Sequence, residues 1–240
     1  MIDKIQKTIK KSVFIPHFFS IFHHSFIIRK GIYQWLLTNK RAIYGKVLDF
    51  GCGEKPYQQL FDYDEYIGVD IEVSGHDNSQ NNVDVFRDGS SLPFENATFD
   101  SILATEVFEH VFNIDDILTE IHRVLKSWGS ILITTPFAIH EHEVPYDFAR
   151  YTWWGMQHLL TKHWFSIMSN QHYGSYRDTI LQLTIWFLWK VTETKYTYLT
   201  LVLRIILVAP LMIVINILSL ISPRMQKGMY LTNVAVAKKN

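Results

Sequence analysis

The chain has 240 residues, enough for one domain with an insertion and a sizeable core, and its 23 basic and 23 acidic side chains cancel. No global basic field points to nucleic acid, which is excluded as an expected partner. The single cysteine, Cys52, rules out an internal disulfide and fits a reducing cytoplasm.

Residues 1–44 precede the first strand and are expected to form an N-terminal helical cap. Ile2, Ile5 and Ile9 recur at helical spacing with Lys4, Lys7, Lys10 and Lys11 between them. Such a helix either lies on an anionic membrane surface or packs over a cleft with its lysines in solvent. The apolar stretch that follows contains Pro16, His17, His23 and His24 and lacks a small-residue cleavage site, so no signal peptide is expected.

Residues 45–240 are expected to form the main domain, which opens on KVLDFGCG, Lys46 to Gly53. Val47, Leu48 and Phe50 suit a strand buried on both faces of a parallel sheet. Gly51-Cys52-Gly53 ends the run, and two glycines let the backbone turn and approach a ligand closely. Tyr66-Ile67-Gly68-Val69 reads as the next strand. It ends on Asp70, an acid placed to accept hydrogen bonds from both hydroxyls of a ribose. A dinucleotide fingerprint would want a third glycine where Pro56 stands. A ligand without phosphates does not need that approach, and Asp49 suits one carrying an ammonium and a sulfonium.

On these residues the chain resembles class I S-adenosylmethionine-dependent methyltransferases, in the type 11 methyltransferase domain family around the quinone-biosynthesis C-methyltransferases. The family motif acid-x-Gly-x-Gly-x-Gly is matched at Asp49, Gly51 and Gly53. Lys55 replaces the third glycine, so the methionine end of the cofactor is expected to sit slightly differently. The resemblance implies an α/β, Rossmann-like, seven-stranded, mostly parallel sheet with helices on both faces and strand 7 antiparallel. It also implies S-adenosyl-L-methionine as cofactor, contacted by Asp49, Gly51, Cys52, Gly53, Asp70 and Ile71. From the residue alone, Cys52 reads as a small buried side chain in a turn rather than a nucleophile.

A polar loop, Val73 to Asn82, is expected to be mobile, and NVDVFRDG supplies a third strand by its valine alternation. Asp88-Gly89-Ser90-Ser91-Leu92-Pro93-Phe94 resembles the family's acid-x-x-x-Leu-Pro-Phe. That likeness makes Asp88, with Gly89, the adenine-reading position; read alone, Asp88 starts a turn before glycine. FDSILATE, Phe99 to Glu106, is the fourth strand. It runs into Val107-Phe108-Glu109-His110-Val111, which resembles the family's Glu-Val-Leu-Glu-His segment. By that likeness Thr105 and Glu106 line the methionine half, while His110 is either a base or a loop-ordering residue. Asp115 to Lys126 is a helix carrying Ile117, Leu118, Ile121, Val124 and Leu125, with acids in its first turn. Trp128-Gly129-Ser130 replaces the family's Pro-Gly-Gly turn, and Ile131 to Pro136 is the fifth strand. Alternating strands and helices imply a doubly wound sheet with ligand at its carboxyl edge.

The acceptor is expected to meet the loop PFAIHEHEVPYDFARYTWWG. His142-Glu143-x-Pro145-x-Asp147-Phe148-x-Arg150-Tyr151-Thr152 resembles methyltransferases of cell-envelope polysaccharide and glycolipid biosynthesis. Methyl transfer to a hydroxyl needs alignment and removal of one proton. His142 is the first choice of base and Asp147 the second, as base or as the group orienting the histidine. Arg150 holds an acceptor carboxylate or phosphate, with Tyr151 and Glu143 beside it, or else pairs with Asp147 and shapes the loop. His140, Glu141, His142 and Glu143 supply at most part of a metal site, so no metal is expected.

His163 to Asn170 resembles the sixth strand and Leu231 to Lys238 the seventh. Between them, at about residues 176–228, lies an insertion with apolar runs Ile180 to Trp189 and Leu199 to Ile221. The second is long enough to cross a bilayer. A single crossing would strand the seventh strand, so a helical hairpin dipping into one leaflet is expected, with Pro210 breaking or kinking its long helix. A buried core or homodimer face is one alternative use, and a true span, at the expense of the seventh strand, is the other. The whole reads as an O-methyltransferase of an envelope saccharide or lipid-linked acceptor at the inner face of the membrane. The alternatives are C-methylation of a quinone-like lipid and a non-catalytic scaffold that keeps the fold.

Overall fold

The computed structural model describes residues 14, 18–72, 82–87, 91–221 and 228–240. The basic N-terminal helix, most of the polar loop after Glu72, Asp88 and Gly89 lie outside them. The chain divides into two compact units, Trp35–His172 with Thr232–Asn240, and Met1–Gln34 with Tyr173–Leu231.

The first unit holds a seven-stranded sheet. Its strands are β1 (Lys46–Phe50), β2 (Glu65–Ile71), β3 (Val85–Arg87), β4 (Phe99–Thr105), β5 (Leu125–Pro136), β6 (Phe165–Tyr173) and β7 (Thr232–Lys239). Their spatial order is β3-β2-β1-β4-β5-β7-β6. β1 pairs parallel with β2 and β4, and β5 with β4, while β7 runs antiparallel to β5 with Ala235 opposite Ile133. Chain direction across the sheet reverses between β1 and β4, which puts the binding crevice at their carboxyl ends. Leu48, Phe50, Ile102, Ile131 and Ile133 in the strands pack with Leu118 and Ile121 of α2 (Ile114–Val124) into one buried core. α1 is Phe26–Thr38, and α3 is Trp153–Lys162, started by Thr152 Oγ1 accepting from the Gly155 amide at 3.0 Å.

Two local features differ from expectation. β1 joins β2 through a single 3₁₀ turn, Gln58–Leu60, instead of a crossover helix. Left-handed backbone at Gly51, Gly53 and Lys55, followed by Pro56, leaves too few consecutive residues free to coil. β5 starts at Leu125, so Trp128-Gly129 lies inside the strand rather than in a turn before it. The register slips between Phe99↔Leu125 and Ser101↔Ser130, and the bulge is absorbed where Trp128 turns to φ +66°.

The second unit is helical. α4 (Tyr176–Val191) is followed by α5 (Thr197–Leu203), a π-helical turn at Arg204–Val208, and α6 (Ala209–Ile221). Pro210 does not break the helix: Thr197–Leu220 is continuous, and the widened turn ahead of the proline is where the regular hydrogen-bond ladder is given up. The two helices are antiparallel. Arg204 lies 4.1 Å over the Trp189 ring and donates to the Trp189 carbonyl at 3.2 Å, and at the other end Arg177 donates to the Ser219 carbonyl at 3.1 Å. Val208, Met212, Ile215 and Asn216 form the buried stripe of the long helix. Asn216 donates to the Ile21 carbonyl at 2.7 Å and Gln182 to that of His24 at 2.6 Å, so the N-terminal segment belongs to this unit. The rest of the long helix presents Val202, Ile206, Leu207, Val214 and Ile217 to solvent.

Candidate active site at the carboxyl ends of β1, β2 and β4

The glycine bend after β1 is built by backbone geometry. The Gly51 and Cys52 amides both donate to the Val69 carbonyl, at 2.9 and 3.2 Å, which folds the loop back onto β2. Gly51 sits at φ +70°, and a Cβ there would meet Val107 at 2.2 Å. Gly53, at φ +47°, faces open space, leaving room for a ligand against its backbone. Its amide donates to Asp70 Oδ2 at 2.9 Å, while the Ile71 amide donates to Oδ1 at 2.8 Å. Each Asp70 oxygen therefore has one amide partner and lone pairs left over, the state needed to accept from two ribose hydroxyls.

Asp49 is buried beneath this bend and accepts from the Tyr66 hydroxyl at 2.7 Å. Burial raises its pKa to about 7, against the lowering effects of Tyr66 and Lys55. Burial likewise pushes the Cys52 thiol up, so it is no nucleophile at neutral pH. Lys55 adopts φ +52°, the backbone conformation a glycine takes without strain, and its buried ammonium pairs with Asp84. Asp84 also accepts from the Gly68 amide at 2.7 Å, so the pair ties the bend to the edge of β2. The residue that departs from the family motif has become a latch.

Thr105 ends β4, and Glu106 follows at φ +49° with its amide on the Thr134 carbonyl at 2.9 Å. Its carboxylate accepts from Thr232 Oγ1 at 3.0 Å. The Leu92-Pro93-Phe94 segment is pinned by residues that its own motif does not contain. Arg123 donates to the Phe94 and Leu92 carbonyls at 2.8 and 3.0 Å, and Glu120 accepts from the Leu92 amide at 2.8 Å.

The loop after β5 is brought to the segment after β4. The Phe148 and Ala149 amides donate to the Glu109 carbonyl at 2.8 and 3.2 Å, and His110 Nδ1 lies 2.8 Å from the Tyr146 carbonyl. The His110 and His142 rings meet edge to face at 4.8 Å. Asp147, its side chain only 3 % exposed, is held by both Arg150 nitrogens at 2.5 and 2.6 Å and by the His142 amide at 2.9 Å. Burial alone would raise the Asp147 pKa, but the Arg150 fork and the His142 amide outweigh it and bring it to about 2. Asp147 and Arg150 thus pair with each other, and Asp147 also faces the His142 amide and ring. His142 has Nδ1 3.3 Å from Asp147 Oδ2, and burial with the neighbouring His110 lowers its pKa, so the imidazole is neutral at pH 7. Glu109 is fully buried, and burial and then Glu106 raise its pKa. Glu143 lies at the rim, 3.6 Å from His110 Nε2, and the Tyr151 phenol is raised to about 12 by burial and Glu109.

Residues 48–133 match the family model of a methyltransferase domain. The fold is shared with a [4+2]-cyclase, SpnF (16 % identity, TM-score 0.56, covering 88 % of this chain and 80 % of that one). It is shared with a protein described as a sarcosine dimethylglycine methyltransferase from Galdieria sulphuraria (16 %, TM-score 0.55, 88 % and 86 %). A third is phosphoethanolamine N-methyltransferase 2 of Haemonchus contortus, solved with S-adenosyl-L-methionine (15 %, TM-score 0.56, 95 % of this chain and 59 % of that one). No protein of curated function matches the sequence. Residues 48–133 thus match a methyltransferase domain, and the sheet around them has the Rossmann-like methyltransferase fold. The cyclase among the neighbours is a reminder that the fold leaves the reaction open.

Proposed function

We propose that the protein is a monotopic membrane enzyme that O-methylates a lipid-borne acceptor, such as an envelope saccharide or its lipid-linked precursor. S-Adenosylmethionine, when bound, supplies a methyl group already activated on a sulfonium. Asp70 would hold the ribose, the backbone at Gly51 and Gly53 the space beside it, and Thr105 and Glu106 the methionine half. The Glu109, His110 and His142 cluster is where the acceptor hydroxyl would give up its proton, with Asp147 and Arg150 keeping the loop in place. The resemblance of His142 to Thr152 to envelope-polysaccharide enzymes supports the acceptor class.

The observation that carries the membrane reading is the helix Thr197–Leu220, whose mean hydropathy is 2.7 while only 22 % of it is buried. An all-round apolar helix with one buried stripe leaves its other faces to find an apolar partner. The hairpin tip carries Lys190, Glu193 and Lys195, and charges there oppose insertion tip first. α4 has 16 residues, about 24 Å at about 1.5 Å each, short of a hydrocarbon core of roughly 30 Å. The chain enters the insertion from β6 and leaves it into β7, adjacent strands of one sheet. These points favour a hairpin lying along one leaflet on its exposed flank rather than dipping or spanning.

The test is vesicle flotation of the intact chain and of Ile206→Glu/Val214→Glu/Ile217→Glu, positions already in solvent. Wild type should float and the triple variant should stay at the bottom with unchanged circular dichroism; equal flotation refutes the attachment. Labelled methyl should then appear in the lipid phase of envelope membranes, and label confined to water-soluble acceptors would overturn the acceptor class.

A further inference from the structure

The Glu109 carboxylate is buried with neither oxygen hydrogen-bonded, and His110 Nε2 is buried and likewise unbonded. A buried polar group without a partner costs about 1–3 kcal/mol, and more for a charged one. Around this carboxylate the donors are set to face it without a proton between them. His110 Nδ1 sits 2.8 Å from the Tyr146 carbonyl, which can only accept, so the ring proton is on Nδ1 and the Nε2 lone pair is free. His142 Nδ1 sits beside Asp147 Oδ2 at 3.3 Å and the His140 carbonyl at 3.3 Å, which leaves its Nε2 lone pair free in the same way. Those two Nε2 atoms lie 3.7 and 4.0 Å from Glu109 Oε1. Three lone-pair groups thus converge, their ligand atoms all within 4.8 Å of one another. Imidazoles whose other nitrogen is held by a carbonyl or carboxylate are the usual second-sphere arrangement of a metal centre.

We propose that Glu109, His110 and His142 bind a divalent cation of the first transition series, with Glu143 at the open side. Two imidazoles with one carboxylate select Mn²⁺, Co²⁺ or Zn²⁺ over Mg²⁺ and Ca²⁺, which prefer all-oxygen shells. Ligands about 2.0–2.2 Å from a shared ion sit about 3–3.5 Å apart, so the donors, now within 4.8 Å of one another, close by up to about 1.5 Å on binding. The sequence block His140 to Glu143 lacks enough donors alone; the fold completes it from the segment after β4, through a different pair of side chains. Binding of the ion stands independently of methyl transfer. Its use, as the centre that takes the acceptor oxygen in place of a free histidine base, rests on the function proposed above.

Chelator-treated full-length protein is titrated calorimetrically with Mn²⁺, Zn²⁺ and Mg²⁺, and Mn²⁺ is followed by electron paramagnetic resonance. One Mn²⁺ or Zn²⁺ per chain is expected at micromolar affinity or tighter, with Mg²⁺ at least tenfold weaker. Glu109→Gln, which keeps the side-chain shape, and His142→Gln, on the half-exposed loop, should each weaken binding at least a hundredfold while S-adenosylmethionine affinity stays within threefold. No binding of any ion, or unchanged binding in both variants, overturns the site. Ion binding without methyl transfer to any membrane acceptor would leave the site standing and sink the function assigned to it.

Discussion

Replacing Asp49 by asparagine should flatten the pH dependence of stability, and the size follows from its surroundings. The carboxyl is buried, bonded to one phenol, and its pKa stands at about 7 in place of the ordinary 3.8. Between those two values the folded chain holds a proton that the unfolded chain has released. Stability therefore falls as pH rises from about 4 to about 7, by about 1.4 kcal/mol per unit and about 4 kcal/mol in all as an upper bound. Above pH 7 the ligand-free fold carries a buried charge. The amide introduced by Asp49→Asn would keep the Tyr66 hydrogen bond and carry no charge. Urea unfolding at pH 5, 6, 7 and 8 should show wild type losing stability up to about pH 7 and levelling off, with Asp49→Asn losing less by about 1–3 kcal/mol. The cationic cofactor favours the ionised carboxylate, so wild-type affinity should rise from pH 6 to 8 and that rise should vanish in the variant. Parallel stability curves for the two proteins would refute the burial argument.

Asp70→Ala should weaken S-adenosylmethionine binding at least tenfold by calorimetry, because the ribose partner and the anchor of the Gly53 amide go together; unchanged affinity would count against the cofactor cradle. Arg150→Ala leaves Asp147 with the His142 amide and ring alone, and thermal unfolding should show a loss of about 2–4 kcal/mol, with Arg150→Lys losing less. Lys55→Met should raise KM for the cofactor severalfold with kcat little changed, since the latch to Asp84 shapes the bend rather than touching the acceptor. Arg123→Ala should free the Leu92-Pro93-Phe94 segment, visible as faster amide exchange there while the core stays protected.

Local pattern was enough for the strands that bury both faces. Val47 to Phe50 and Phe99 to Ala104 are mostly apolar runs, interrupted only by Asp49 and by Asp100 and Ser101, and such runs have few other places to go. The bend was legible too, because positive φ at Gly51 and Gly53 is cheap only for glycine. The β5 bulge was not, since Trp128 takes a left-handed conformation only because its partner strand demands the register shift. Lys55 looked like a defect in a motif, and its buried pair with Asp84 is visible only once β2 and β3 lie side by side.

The glycine and acid motif, the apolar runs and the family resemblance they carry were enough to expect a nucleoside-binding sheet interrupted before its last strand by an apolar helical insertion, because burial of alternating and continuous apolar residues is a local demand. Tertiary structure decided which polar groups face each other. Glu109 and His142 lie far apart in the chain, and nothing short-range signals that one carboxylate and two imidazoles would come together. That meeting is set by two backbone hydrogen bonds from the loop after β5 to the segment after β4, long-range contacts that no window of sequence contains.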